Sequence, residues 1–353
     1  MLGAYRLETF MALHAFIVGA NGQIGRAVGE RLLRAGWAVT CAQRGDALPE
    51  LLELGARAVK VDRNEAGSLE AAIGNGTDAV IDTIAYDENH AAQLLEIQDV
   101  VGYFSVISSA SVYCDDQGRT LDEAKGTEDL PEFPVPIPET QPTTAAGPAT
   151  YSTRKAALEN KLFANSRVPF SLIRACAIYG PNSKFPREWW FIKRWADDRT
   201  RVPLLYASNI FHTSATPNIA ALIEAAITAR FRGPLNAGDP QPPSLGEIGT
   251  TIAHSLSWTC EFVMVPNNVG GVGETPWSAP MPFVVDMHRA AQIGYKPVTD
   301  YASYAPEVCR WLIDAARDRD WREIFPVLNR FPDLFDYAAE DNFLKTSHTG
   351  ILN

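Results

Sequence analysis

A chain of 353 residues is long enough for one large domain, or two unequal ones, around a substantial core. Its 46% hydrophobic and 21% charged content is ordinary for a globular protein and excludes a largely disordered chain. A net charge of −11 argues against phosphate-backbone binding as the main task, so no nucleic-acid partner is expected.

Residues 1–10 read as an extension, with Met11 as an alternative start. A short apolar run at 15–18 is followed by helical spacing at Ile24, Val28, Leu32 and Leu33. Strand-like runs recur at 37–42, 58–61, 79–84 and 103–107, separated by helix-forming stretches at 48–54, 65–73 and 88–98. Short apolar strands alternating with amphipathic helices predict a doubly wound, Rossmann-type α/β parallel sheet with helices on both faces. A helix over 149–164 and a sixth strand over 170–177 complete this domain, placed at residues 12–180. Within it, 113–148 carries prolines at 131, 134, 136, 138, 142 and 148, which disfavour regular structure. This insertion is read as a surface loop that also walls the site, because it ends where the next helix begins.

Beyond residue 180 the alternation becomes irregular. Helices are predicted at 186–196, 217–230 and 305–320, and short strands at 235–237 and 262–265. The segment 181–320 is therefore assigned to a smaller, mixed C-terminal substrate domain that can return elements to the sheet. The aromatic-rich stretch 321–353 is expected to pack on the body or on a partner subunit. Five scattered cysteines without a Cys-x-x-Cys suit a reducing cytosol, and the six histidines lack metal-ligand spacing, so no metal is expected. No apolar run approaches the roughly 20 residues of a membrane span. The chain is expected to be cytoplasmic, with no membrane partner.

Gly19, Gly22 and Gly25 follow the first strand and open a helix, the context that gives a glycine pattern meaning. Glycine allows the tight turn and close approach of a pyrophosphate, and the helix amino terminus supplies free N–H groups. Asn21, Gln23 and Ile24 complete the loop. At the end of the second strand, where NAD binders place an acid, the chain reads Cys41-Ala42-Gln43-Arg44-Gly45. An arginine there suits the 2′-phosphate of NADP, with NAD as the alternative. Asp62 is assigned to the adenine amino group, and Arg63, Thr83 and Ala85 join the cofactor set.

Tyr151 and Lys155, four residues apart, fall on one helical face. A cation beside a phenol stabilises phenolate and brings its proton exchange closer to neutral pH. Together with the glycine loop and Ile-Ser-Ser-Ala-Ser-Val-Tyr at 107–113, this order of motifs resembles the extended branch of the short-chain dehydrogenase/reductase family, over residues 12–320. The resemblance implies hydride transfer at a carbinol or carbonyl carbon. Tyr151 would act as general acid/base, Lys155 would lower its pKa and hold the nicotinamide ribose, and Ser109 would bond the substrate oxygen. Ser109 is chosen because it stands four residues before the Tyr of Val112-Tyr113, taken to end the fifth strand. Ser111 is second choice on the same strand face, and Ser108 should point away.

The family's nucleotide-sugar enzymes read Arg-x-x-Asn-x-Tyr-Gly-Pro after the sixth strand; here Ala177 replaces the Asn of that frame. That weakens a nucleotide-sugar ligand. A dehydratase carboxylate pair is missing too, with Ala110 and Ser111 in its places. Ser111, Tyr113, Ala177, Trp189 and His212 form the substrate set, and Lys184 to Arg201 is a basic, aromatic stretch that can face an anionic or ring-bearing substrate.

The leading reading is an NADP(H)-linked reductase or dehydrogenase of a small polar or aromatic carbonyl or alcohol. The alternative is a sugar or nucleotide-sugar epimerase of the same fold. A third reading, a non-catalytic NADP-sensing or RNA-binding relative, rests on the Arg44-Gly45 and Asp62-Arg63 pairs and is opposed by net acidity and the intact Tyr151/Lys155. A serine hydrolase is excluded by the lack of a Gly-x-Ser-x-Gly elbow. The resemblance also implies a homodimer through the Tyr151 helix.

Overall fold

The computed structural model describes residues 12–124, 129–331 and 334–346; the readings for 1–10 and Met11 lie outside the described residues. Six strands of the amino-terminal half are β1 (His14–Val18), β2 (Ala38–Gln43), β3 (Arg57–Lys60), β4 (Ala79–Asp82), β5 (Phe104–Ile107) and β6 (Phe170–Ala175). They alternate with α1 (Gln23–Arg34), α2 (Pro49–Glu53), α3 (Ser68–Ile73), α4 (Glu88–Glu96) and α5 (Tyr151–Asn165). The second half supplies β7 (Ala177–Tyr179), α6 (Trp189–Ala196), β8 (Arg201–Leu205), β9 (Thr213–Ala215), α7 (Thr216–Thr228), β10 (Gly233–Ala237), α8 (Leu245–Ser255) and β11 (Glu261–Val265). It ends with α9 (His288–Gln292), α10 (Tyr301–Ala316), α11 (Trp321–Ile324) and α12 (Tyr337–Thr346).

The main sheet has seven strands in the order β10-β6-β5-β4-β1-β2-β3, all parallel. The order reverses between β1 and β4, so the carboxyl ends of those strands open a crevice, the usual ligand position in such sheets. Runs such as Ala79–Asp82 and Phe104–Ile107 are buried along their whole length, because helices cover both faces. On one face Ile17, Val28, Leu32 and Ile81 pack with Ile219 and Ile223 of α7; on the other Phe16, Val80 and Val106 pack with Leu94, Leu158 and Leu162. The second half thus returns a strand and a helix to the first.

Two small parallel pairs, β8 with β11 and β7 with β9, were not legible as a separate layer. A second core joins α6, α8 and α10 through Trp190, Phe191, Ile248, Ile252, Val308 and Leu312. Residues 321–331 and 334–346 close it: Trp321, Phe325, Leu328 and Leu334 are buried there, and Arg194 forms a buried ion pair with Glu340 on α12. Arg194 also stacks on Trp190, with its guanidinium carbon 3.4 Å from the ring centroid. No helix among the described residues is long and apolar enough to cross a membrane.

Candidate active site

The glycine turn is packed against itself. Gly19 has φ +84°, and a Cβ there would meet the Ile84 and Thr83 side chains at 2.6 Å. A Cβ on Gly25 would lie 2.4 Å from the Gly19 carbonyl oxygen and 2.7 Å from Ala20 Cα, so α1 can approach the β1 end only without a side chain there. Gly22 differs: its nearest neighbour would be the Gly19 oxygen at 3.4 Å, an ordinary contact. Nothing inside the protein requires glycine at that position, which caps α1 with no side-chain cap and no acid in the first turn. The open N–H groups at this helix start fit a dinucleotide pyrophosphate. The buried Asn21 Oδ1 and Gln23 Oε1 beside them are unpartnered acceptors, suited to a hydroxyl rather than to a phosphate oxygen.

Helix α5 starts at Tyr151 because Thr150 and Thr153 form a reciprocal capping box. Asp122, from the proline-rich insertion, adds an anion at this positive helix end and accepts from Ser152 N at 2.9 Å and Ser152 Oγ at 2.7 Å. The insertion therefore anchors the start of α5, and Leu121, Asp122, Ala124 and Leu130 line the cavity. It has a buried side as well, with Ile137 fully enclosed against Tyr113, Phe283 and Val285.

Tyr151, Lys155, Ser109 and Ser111 share one cavity of 950 Å³ with Gly22, Gln23, Ile24, Thr83 and Ala85. Lys155 is buried; its Nζ donates to Ala85 O at 2.6 Å and Ile107 O at 2.8 Å, and stands 5.6 Å from the Tyr151 ring centroid. Desolvation pulls its pKa down to about 8. Burial pushes the Tyr151 phenol up to about 12, while hydrogen bonding to Ser109 pulls the other way. The expected lowering of the phenol by Lys155 is thus outweighed, because the ammonium is engaged by two carbonyls and the ring is desolvated.

The fifth strand does not extend to Tyr113. It stops at Ile107, and a short 3₁₀ turn, Ala110–Val112, follows, capped by the Ser109 side chain accepting from Ser111 N at 3.2 Å. Ser108 turns to Glu159, donating to Oε1 at 2.6 Å. The Ser111 hydroxyl lines the cavity and has no protein partner, so it is a free donor for a substrate oxygen.

Four of the five substrate assignments are corrected, because those side chains lie outside the cavity wall. Tyr113 is buried beneath Arg174, 4.9 Å from ring centroid to guanidinium carbon, and donates to Asn236 Oδ1 at 2.5 Å. Ala177 is buried in β7, and Trp189 packs on Phe325 in the second core. His212 is enclosed, with Nε2 against Asp239 O at 2.7 Å and Nδ1 accepting from Val285 N at 3.2 Å. Each satisfies the core, and only Ser111 remains at the site.

In the cofactor set, Thr83 Oγ1 donates to Val18 O and Gly19 O, tying β4 to the turn. Arg63 is corrected to a structural role, since its guanidinium is occupied by a buried pair with Asp82 at 2.7 Å and by Gln93 Oε1 at 3.0 Å. Asp62 Oδ1 accepts from Asn64 N and Nδ2 within its own turn. Arg44 is exposed just past β2, beside a buried and unpartnered Gln43 Oε1. Sequence reasoning missed Asp122, Cys176, Asn182, Tyr206, Phe211 and Phe283, all on the cavity wall. They come from loops without periodicity; Asn182 and Tyr206 sit at φ +64° and +58°, visible only in the backbone.

Residues 19–126 match a family described as NAD(P)H-binding. No curated protein matches the chain in sequence. Among solved structures, Thermotoga maritima UDP-glucose 4-epimerase with UDP-glucose superposes with a TM-score of 0.65 at 15% identity, covering 86% of this chain and 99% of that one. Bordetella bronchiseptica WbmG in complex with NAD and UDP gives 0.65 at 19% identity, covering 88% and 97%. Bacillus anthracis dTDP-glucose 4,6-dehydratase in complex with NAD gives 0.64 at 14% identity, covering 87% and 99%. The resemblance to the extended short-chain dehydrogenase/reductase family holds at the level of the fold.

Proposed function

We propose that this protein is an NAD(P)-dependent oxidoreductase, with NADP(H) preferred, acting on a small carbonyl or alcohol through Ser109, Tyr151 and Lys155. The observation that carries this reading is the convergence of those three side chains and the glycine turn on one cavity. A nicotinamide bound at the turn supplies the hydride donor or acceptor. Tyr151 then gives a proton to the carbonyl oxygen, or takes one from the alcohol. A phenol held at about 12 suits the donating direction at neutral pH. Ser109 and Ser111 hold the reacting oxygen, and Lys155, with two of its three N–H groups engaged by Ala85 and Ile107, keeps one for the ribose. Ile84 and Tyr86, exposed at the cavity mouth, give the cofactor an apolar border.

Preference for NADP(H) rests on Arg44 and the absence of a carboxylate at Gln43-Arg44-Gly45. The epimerase reading keeps support from the structural likeness to UDP-glucose 4-epimerase, and reduced-nicotinamide absorbance separates the two. An epimerase converts no stoichiometric cofactor. The same reading places the protein in the cytoplasm, with a small-molecule substrate. It makes the protein a homodimer through α4 and α5, where Phe163 is exposed, a point that sedimentation checks.

The decisive experiment is a carbonyl and alcohol panel with both nucleotide pairs, run beside Tyr151→Phe. Turnover should fall by roughly 10²–10⁴-fold with nucleotide binding retained. Unchanged turnover in the variant overturns the assignment.

A further inference from the structure

The lining of the same cavity also carries an arginine that has no ion-pair partner among the described residues. Arg187, just before α6, lies over the Phe185 ring at 4.5 Å and lines the cavity with Cys176, Asn182 and Phe211. Its Nε is shielded from solvent and has no hydrogen-bond partner. Arg187 is half-buried, whereas the three fully buried arginines among the described residues each have a carboxylate: Arg63 with Asp82, Arg174 with Glu159, and Arg194 with Glu340. Among the described residues no carboxylate lies within ion-pair distance of Arg187.

The acids nearby do not replace one. Glu188 acts on Arg187 electrostatically, but it is itself fully buried, and desolvation raises its pKa to about 7. Asp122, also on the cavity wall, is engaged by Ser152. Glu274 is exposed at the rim. Desolvation lowers the Arg187 guanidinium to about 10, which leaves it charged at neutral pH. A shielded guanidinium with an idle donor is costly unless something brings it an anion. Its planar fork matches carboxylate and phosphate oxygens. Around it Phe185, Phe211 and Phe283 form an apolar wall, with Phe211 and Phe283 stacked at 5.1 Å.

We propose that Arg187 anchors an oxyanion, carboxylate or phosphate, on a substrate whose apolar body lies along these rings while its reacting oxygen meets Ser111 and Tyr151. The inference rests on the redox reading of the site and narrows its substrate class to anionic carbonyls and alcohols.

The test is calorimetric binding of benzoate, phenyl phosphate and benzamide to the full chain saturated with oxidised nucleotide. At least one anion should bind tenfold or more tightly than the neutral, isosteric benzamide, and the better of the two identifies the group. Arg187→Met should abolish that preference with nucleotide affinity unchanged, and Arg187→Lys should restore part of it. Equal binding of benzamide, no binding of either anion, or an intact preference in Arg187→Met overturns the proposal. So does a matching loss of nucleotide affinity, which would assign Arg187 to the cofactor. If Arg187→Met fails to fold, the wild-type comparison and Arg187→Lys still decide. None of these readouts depends on turnover. A failed Tyr151→Phe test would sink the redox reading and the carbonyl or alcohol class with it while leaving an anion site at Arg187 to be read by binding, and a missing anion preference would sink this inference alone.

Discussion

Gly22 and Gly25 look equivalent in sequence, yet the structure predicts opposite consequences for an added methyl. In Gly25→Ala the new Cβ would stand 2.4 Å from the Gly19 oxygen and 2.7 Å from Ala20 Cα, both backbone atoms that cannot swing aside. Overpacking of this kind costs about 1–3 kcal/mol, offset by roughly 0.5–1 kcal/mol for replacing a helical glycine. For a chain of this length unfolding carries roughly 0.7 kcal/mol/K, about 1.4 °C per kcal/mol, so the midpoint should fall by roughly 1–3 °C. In Gly22→Ala the backbone is extended (φ −77°, ψ 163°) and the nearest atom is 3.4 Å away. Loss of a favourable cap residue and the lower entropy of the unfolded chain nearly cancel, so stability should move by less than about 0.5 kcal/mol. The methyl would nevertheless stand where a pyrophosphate approaches α1, and a clash of about 1.4 kcal/mol already lowers affinity tenfold. Thermal denaturation beside nucleotide titration separates the two effects. Gly22→Ala with wild-type nucleotide affinity, or Gly25→Ala with wild-type stability, would refute this account of the turn.

Tyr113→Phe should cost about 1–3 kcal/mol in chemical denaturation, because Asn236 Oδ1 loses its buried donor, while kcat/KM stays unchanged. Glu340→Ala should destabilise by about 3–5 kcal/mol by leaving Arg194 buried and unpaired, and limited proteolysis should find α12 released. Arg44→Ser should weaken NADP(H) roughly tenfold and leave NAD(H) unaffected in parallel titrations, as expected for loss of one charged hydrogen bond of about 1.5 kcal/mol. Carbonyl reduction should hold steady through neutral pH and fall as pH passes about 8, where Lys155 loses its proton, as a pH–rate profile will report. Stability has the opposite sign there. The lysine is lowered from its ordinary 10.5, so between about 8 and 10.5 only the unfolded chain holds the proton, and the folded state gains as pH rises.

Local signals in the sequence determined the first half of this protein. Short, mostly apolar runs such as Ala79–Asp82 and Phe104–Ile107, set between amphipathic helices, leave a parallel sheet as their natural packing. The glycine turn and the Tyr151/Lys155 spacing are likewise encoded within single elements, which is why they were readable without coordinates. What the sequence could not contain is distance between segments far apart in the chain. Tyr113 and His212 have the chemistry of site residues, but hydrogen bonds to Asn236 and Asp239 consume it, and packing on Phe325 buries the Trp189 ring away from the cavity. Arg187 has the chemistry of a surface charge until the fold turns it into a cavity and gives it no carboxylate. Whether a polar side chain is satisfied or idle depends on neighbours supplied by remote loops, so the tertiary structure alone decided which residues were left for a ligand.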